Sequence, residues 1–157
     1  MRALWMTAAL AFLIDQVSKY GVIFGLGSAQ GDVPVLPPLL TFKYGLNTGV
    51  NFGLFASGSD VARYALIAIA LTLSAILVWW ARSFRRPVEH VSAGLVVGGA
   101  LGNALDRVFH PGVLDFINMS CCGLNNPYVF NLADVFIFAG AFGLILFSGE
   151  RDGKNDA

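Results

Sequence analysis

Two aspartates, Asp115 and Asp134, are the residues whose type and setting best suit chemistry in this sequence. Asp115 lies in a short apolar stretch after a Pro-Gly turn, and Asp134 follows Asn131 at the start of a long apolar run. One short loop separates them, so we expect both at the same end of the protein. Two carboxyl groups close together in a low-dielectric site do not both ionise easily, and they tend to share a proton. One can then act as a base toward water while the other donates a proton, which is the chemistry of an aspartic peptidase.

The composition indicates that membrane-spanning helices position these carboxyl groups. The chain has 157 residues, of which 56% are hydrophobic and 13% are charged, whereas a typical soluble domain is about 25% charged. Ten Lys and Arg residues balance ten Asp and Glu residues, which excludes a nucleic-acid binder driven by basic charge. Two cysteines and two histidines are too few for a disulfide framework and argue against a structural zinc site. We therefore expect no metal, cofactor or nucleic-acid partner.

The hydropathy pattern predicts four spans in one integral-membrane domain covering residues 1–157. The spans are expected at about 4–24, 63–82, 90–108 and 131–149, followed by a cytoplasmic tail at 150–157. The first span resembles a secretory signal peptide, but Asp15 and Lys19 interrupt its apolar region, so a retained helix is expected. Basic residues cluster before the first span, after the second and after the fourth, and the positive-inside rule makes this side cytoplasmic. Both termini are then cytoplasmic.

The polar residues inside the predicted spans fall in one layer. At a rise of about 1.5 Å per residue, Asp15, Asp106 and Asp134 lie ~20, ~22 and ~24 Å from the cytoplasmic ends of their helices. Each has a polar neighbour three or four positions away, which lies on the same helix face; these neighbours include Ser18, Lys19, Asn103 and Asn131. Burying an ionisable group at that depth costs at least a few kcal/mol, so such residues usually line a functional interior.

The connections and the packing can also be predicted. Leu40 to Tyr44 alternates apolar and polar residues as a half-buried strand does, and the apolar pair Leu54-Phe55 suggests an interfacial segment on the outer leaflet. Gly94, Gly98 and Gly102 recur at four-residue intervals in the third span, a pattern that lets a neighbouring helix approach closely. The expected fold class is an all-α membrane protein with a small extracytoplasmic sheet.

Purely structural explanations exist for most of these residues. Asp106 and Arg107 could form a buried ion pair, Asp15 and Lys19 could pair along their helix, and the asparagines could only bridge helices. The adjacent cysteines of the outer loop, Cys121 and Cys122, are expected as free thiols or an intermolecular bond. Two functional alternatives also remain open at this point: a proton-coupled transporter, since intramembrane carboxylates form proton relays, and a structural membrane subunit.

Five motifs in order make the chain resemble the bacterial lipoprotein signal peptidases, the signal peptidase II family. They are Asp15-Gln16-Val17-Ser18-Lys19, Asn47-Thr48-Gly49-Val50-Asn51-Phe52, Gly98 to Arg107, Val113-Leu114-Asp115-Phe116 and Phe130-Asn131-Leu132-Ala133-Asp134. The sequence departs from the family pattern at Asn51, where a small apolar residue is usual.

This resemblance implies an intramembrane aspartic endopeptidase. Its members remove the signal peptide of diacylglyceryl-modified prolipoproteins just before the lipidated cysteine, at the periplasmic side of the inner membrane. It implies a four-helix fold with an outer β-cradle and an interfacial half-helix. It also assigns catalysis to Asp115 and Asp134; positions that bind the substrate or shape the site are Asp15, Lys19, Asn47, Gly49, Asn103, Asp106, Arg107 and Asn131. The expected partners are the prolipoprotein and membrane lipid, and nothing in the sequence demands more than a monomer.

Overall fold

The computed structural model describes residues 1–49, 60–121, 123 and 126–148. Within these residues the chain is mostly helical, with one small sheet. The helices are α1 (Arg2–Tyr20), α2 (Asp60–Trp80), α3 (Pro87–Phe109) and α4 (Leu132–Ser148), and the strands are β1 (Val33–Leu36), β2 (Leu40–Asn47) and β3 (Val113–Met119). The expected interfacial segment at Leu54-Phe55, the unusual Asn51 and the tail at 150–157 lie outside the described residues.

Two helical segments in the described part of the chain are long and apolar enough to cross a membrane. They are Arg2–Gly25, in which a π-helical turn extends α1, and Asp60–Ser83, which contains α2; α4 is apolar but shorter. Helix α3 carries more polar residues and is also extensively buried. It packs against α1, α2 and α4, so its neighbours rather than lipid cover much of its surface, and it tolerates polar side chains that a lipid-facing helix would not.

The glycines of α3 allow this central position. A Cβ atom on Gly94 would lie 2.6 Å from the carbonyl oxygen of Leu4 in α1, and one on Gly99 would lie 2.5 Å from the carbonyl oxygen of Ala133 in α4. Real Cβ atoms do not approach backbone that closely, so larger side chains would force the helices apart. The predicted small-residue stripe therefore serves packing, and Gly99 extends the same device to a second helix face.

The sheet covers one end of the helices. Its strands are antiparallel in the order β1-β2-β3, and the register between β2 and β3 places Gly45 opposite Asp115. Buried Ile23, Leu114, Phe116 and Ile117 form an apolar cluster between the π-helical turn and β3. The strand predicted at Leu40 to Tyr44 extends to Asn47, and this extension brings a polar end of β2 next to Asp115.

The outer-loop cysteines require a correction. Cys121 is disulfide-bonded, so the expectation of a free thiol at this position is wrong; Cys122 lies outside the described residues.

Candidate active site

Lys19 joins α1 to α3 through a buried ion-pair cluster. Its Nζ lies 2.7 Å from Oδ2 of Asp15 and 2.8 Å from Oδ2 of Asp106, and all three side chains are fully buried. Nζ also donates a hydrogen bond of 3.0 Å to Oδ1 of Asn103. The expected pair of Asp15 and Lys19 is therefore present, but Asp106 pairs with Lys19 across the helices rather than with its neighbour Arg107.

The two carboxylates of this cluster also hold the backbone of other elements. The Ala133 N–H, in the first turn of α4, donates to Oδ1 of Asp15 at 2.8 Å. The Leu114 N–H, in β3, donates to Oδ2 of Asp106 at 3.1 Å. Because Ala133 and Leu114 immediately precede Asp134 and Asp115, the ion-pair cluster fixes the positions from which both aspartates project.

Gln16 belongs to this network although the sequence analysis did not select it. Its Nε2 donates to Oδ2 of Asp15 at 3.2 Å and to Oδ1 of Asp106 at 3.1 Å. It lies three positions before Lys19, so helical spacing places the two side chains on one face, but Gln16 carries no charge that would mark it as a candidate. Its place in the polar run around Asp15 was the available signal.

Asp134 is held at the start of α4 by a reciprocal cap. The Asp134 N–H donates to Oδ1 of Asn131 at 3.0 Å, and the Asn131 N–H donates to Oδ2 of Asp134 at 3.2 Å. This arrangement resembles a capping box, in which the first residue and the one three positions later satisfy each other's backbone donors. Oδ1 of Asp134 accepts a further bond of 2.9 Å from Nδ2 of Asn103. Each oxygen of Asp134 therefore accepts a hydrogen bond.

Asp115 meets the same asparagine. It is 2% exposed, and its Oδ1 accepts a hydrogen bond of 2.5 Å from Nδ2 of Asn131. Burial, followed by the negative charge of Asp134, raises the pKa of Asp115 to about 6, against the opposing effect of side-chain hydrogen bonds from Asn131 and Asn47 and of the charge on Lys19. Asn131 thus contacts both aspartates, and the two carboxyl groups interact electrostatically as the sequence predicted.

Arg107 and the end of β2 complete the group of predicted residues. Nη1 of Arg107 donates to the carbonyl oxygen of Asn103 at 3.2 Å, and its guanidinium interacts electrostatically with Asp115 and Asp134. Gly49 has a left-handed φ of 82°, and a Cβ there would lie 3.1 Å from Nη2 of Arg107. The Gly49 N–H donates to Oδ1 of Asn47 at 3.0 Å. A larger residue at Gly49 would be strained and would crowd Arg107.

The site opens sideways into an apolar cavity. Its volume is about 550 Å³, and it is lined by Phe130, Asp134, Val135, Phe138 and Ala139. The cavity therefore begins at the carboxyl group of Asp134 and runs along α4 toward its C-terminal end. Phe138 is 76% exposed at its edge. An apolar molecule lying along α4 could therefore present a bond for hydrolysis at this site. The site also carries two carboxyl groups suited to acid–base chemistry.

Comparisons with known proteins agree with this reading. A sequence model of the family described as "Signal peptidase (SPase) II" matches residues 7–149. The chain is 37% identical to the lipoprotein signal peptidase of Methylobacterium radiotolerans over 155 residues, covering 99% of this chain and 90% of the relative. It is 40% identical to that of Methylorubrum extorquens over 140 residues, covering 88% and 81%. A bacterial membrane enzyme solved by the in meso method has the same fold, with a TM-score of 0.80 at 24% identity over 96% of this chain and 95% of that one.

Proposed function

The chain belongs to the signal peptidase II family, and we propose that Asp115 and Asp134 are the catalytic pair of its peptidase activity. It is an aspartic-type membrane peptidase that cleaves the signal peptides of lipoproteins, which sets aside the transporter and the structural subunit. The observation that carries the catalytic assignment is Asn131, whose amide contacts Asp115 and whose backbone contacts Asp134. This bridge supports two carboxyl groups held in one place.

The surroundings of the two aspartates support different roles for them. Asp134 accepts hydrogen bonds at both oxygens, which orients its carboxyl group as the base that takes a proton from water. Asp115 is more deeply buried and its pKa is raised to about 6, which suits the carboxyl that carries the shared proton up to about that pH. Water attacks the scissile carbonyl as Asp134 takes its proton, and the C–N bond breaks as Asp115 protonates the leaving amine. Transfer of the proton from Asp134 to Asp115 restores the starting state.

Arg107 is placed to bind the substrate backbone beside this pair. In the described part of the chain, its buried Nε has no hydrogen-bond partner, and a buried donor without an acceptor costs about 1–3 kcal/mol. An extended peptide at the site brings carbonyl oxygens that lipid leaves unsatisfied. Nε of Arg107 donates to one of them, with Asn47 and Gly49 limiting the space on the sheet side.

The membrane arrangement follows from the same site. In this proposal all four helices cross the inner membrane with both termini in the cytoplasm, and the sheet forms a cradle at the periplasmic face. A prolipoprotein whose cysteine carries a diacylglyceryl group is held in the outer leaflet, so its scissile bond reaches Asp115 and Asp134 without leaving the bilayer. One copy of the chain supplies every residue of this mechanism.

Conservative substitutions test the catalytic pair. Asp115→Asn and Asp134→Asn keep the size of the side chain but remove the acid–base function, so cleavage of a lipidated precursor should fall by about 10²–10⁴-fold or more. The matched control is Asp32→Asn, which changes a carboxylate that is 60% exposed and paired with Lys43. All three variants should insert into membranes. Turnover at the wild-type rate by either Asp115→Asn or Asp134→Asn would overturn the assignment.

A further inference from the structure

A second apolar cavity, of about 420 Å³, lies between α1 and the sheet; we term it the α1–sheet groove. Ser18 and Val22 line it from α1 and the π-helical turn, and Phe42, Phe116 and Met119 line it from the sheet. Met119 is 54% exposed at the end of β3. The groove is thus lined by a different set of elements from the cavity at Asp134.

The two cavities share one wall. Phe130 and Val135 line both the α1–sheet groove and the cavity that contains Asp134. The cavity at Asp134 continues along α4 to Phe138 and Ala139, whereas the α1–sheet groove stays level with the sheet. A molecule bound at Asp134 can therefore extend in two apolar directions, one deeper into the bilayer and one shallow.

The lining of the α1–sheet groove restricts its occupant. Among the residues that the structure describes, no charged side chain lines it and the one hydroxyl, that of Ser18, already donates to the carbonyl oxygen of Asp15 at 2.8 Å. An extended peptide there would leave its backbone N–H and C=O groups without partners, which costs several kcal/mol for each group. A hydrocarbon chain has no such groups, so it fits this lining without that cost.

We propose that the α1–sheet groove binds an acyl chain of the lipidated cysteine, while apolar side chains of the signal peptide enter the cavity at Asp134 and its backbone stays beside Arg107 and the asparagines. This inference rests on the proposed function, because that function supplies a substrate with two apolar arms that meet at the bond to be cut. Phe130 and Val135 then separate the arm that stays with the lipoprotein from the arm that is released.

The groove positions the acyl chain more than it tightens binding. Lipid tails are as apolar as the groove, so moving a chain from one to the other has little driving force. A chain held in place nevertheless fixes the cysteine against the catalytic pair, and a misplacement of about 1 Å can cost ~100-fold in rate. Blocking the groove should therefore lower kcat more than it raises KM.

The test fills the groove and varies the length of the acyl chain. Val22→Trp places an indole in the groove, and Val17→Trp is the matched control because Val17 is 70% exposed on the same helix and lines neither cavity. Each variant is assayed on two synthetic precursor peptides, one with a dipalmitoylglyceryl cysteine and one with a diacetylglyceryl cysteine. Met119→Trp, which narrows the groove from its rim, replaces Val22→Trp if the latter unfolds at a lower temperature than the wild type.

We expect Val22→Trp to lower kcat about 10-fold or more on the long-chain peptide and less than about 2-fold on the short-chain peptide. Val17→Trp should leave both rates unchanged. Equal losses on the two peptides would assign the groove a structural role or a resident bilayer lipid, and unchanged rates would leave it without a substrate; either result overturns the proposal. If cleavage still depends on Asp115 in either case, the proposed function stands. Failure of the groove proposal can therefore be distinguished from failure of the proposed function.

Discussion

Replacing Lys19 by methionine should destabilise the protein strongly, because it removes the cation between two buried carboxylates. Methionine keeps most of the apolar stem of lysine, so the change acts mainly on charge. In the cluster of Lys19, Asp15 and Asp106, the substitution removes the cation and leaves two carboxyl groups that are still fully buried. Breaking a buried ion pair from one side costs about 3–5 kcal/mol.

The chain offers a surface pair as a matched control. Lys43 lies 3.1 Å from Asp32, with side chains 38% and 60% exposed, and exposed pairs contribute about 0–1 kcal/mol. For a chain of this size each kcal/mol shifts the unfolding temperature by about 2–4 °C. Lys19→Met should therefore lower it by about 6–20 °C, and Lys43→Met by no more than about 4 °C.

The assay is thermal unfolding in detergent micelles, followed by far-UV circular dichroism. A double variant, Lys19→Met with Asp15→Asn, also removes one of the two buried carboxyl groups left without a cation and should recover part of the lost stability. If Lys19→Met unfolds no earlier than Lys43→Met, the buried cluster does not hold α1 to α3. A double variant less stable than Lys19→Met would show that charge balance is not the reason.

Two further predictions concern the acid and the packing. The kcat/KM should fall above about pH 6, where Asp115 loses its proton. The variant Asn131→Ala removes a hydrogen bond that lowers the pKa of Asp115, so it should shift this fall in kcat/KM to higher pH. A pH–rate profile in which the fall shifts to lower pH would contradict the role of Asp115 as the acid. Gly99→Val should lower the rate of cleavage about 10-fold or more, because a Cβ at this position would lie 2.5 Å from the carbonyl oxygen of Ala133. Gly25 has open space around it, so Gly25→Ala should retain wild-type activity in the same cleavage assay. Similar rates for the two variants would show that close helix packing at Gly99 is not needed.

The polar layer was predictable because burial in an apolar helix leaves few uses for a charged side chain. Helical spacing placed Asp15 with Lys19 and Asn103 with Asp106, and these residues do meet in one network. The partner of Asp106 was not predictable, since the choice between Arg107 and Lys19 depends on how closely α1 and α3 approach. That approach is set by glycine packing in three dimensions rather than by spacing along one helix.

The sheet was predictable only in part. The alternation at Leu40 to Tyr44 marked β2, but β1 contains Pro34, and proline removes a donor that a strand normally uses. An edge strand tolerates this, and β1 is at the edge of the sheet. The pairing of β2 with β3 joins distant parts of the chain, so neither the register that sets Gly45 opposite Asp115 nor the α1–sheet groove could be inferred from local pattern.

The backbone bond from Ala133 to Asp15 has a consequence for how the enzyme is made. Translation delivers α1 and α3 first, and these two helices already hold the partners that neutralise Lys19. The segment bearing Asn131 and Asp134 leaves the ribosome later and docks onto a carboxylate that is already in place. A nascent chain that still lacks this segment already contains Lys19 and its two carboxylate partners but not Asp134, so under the proposed catalytic assignment it cannot yet hydrolyse its substrates.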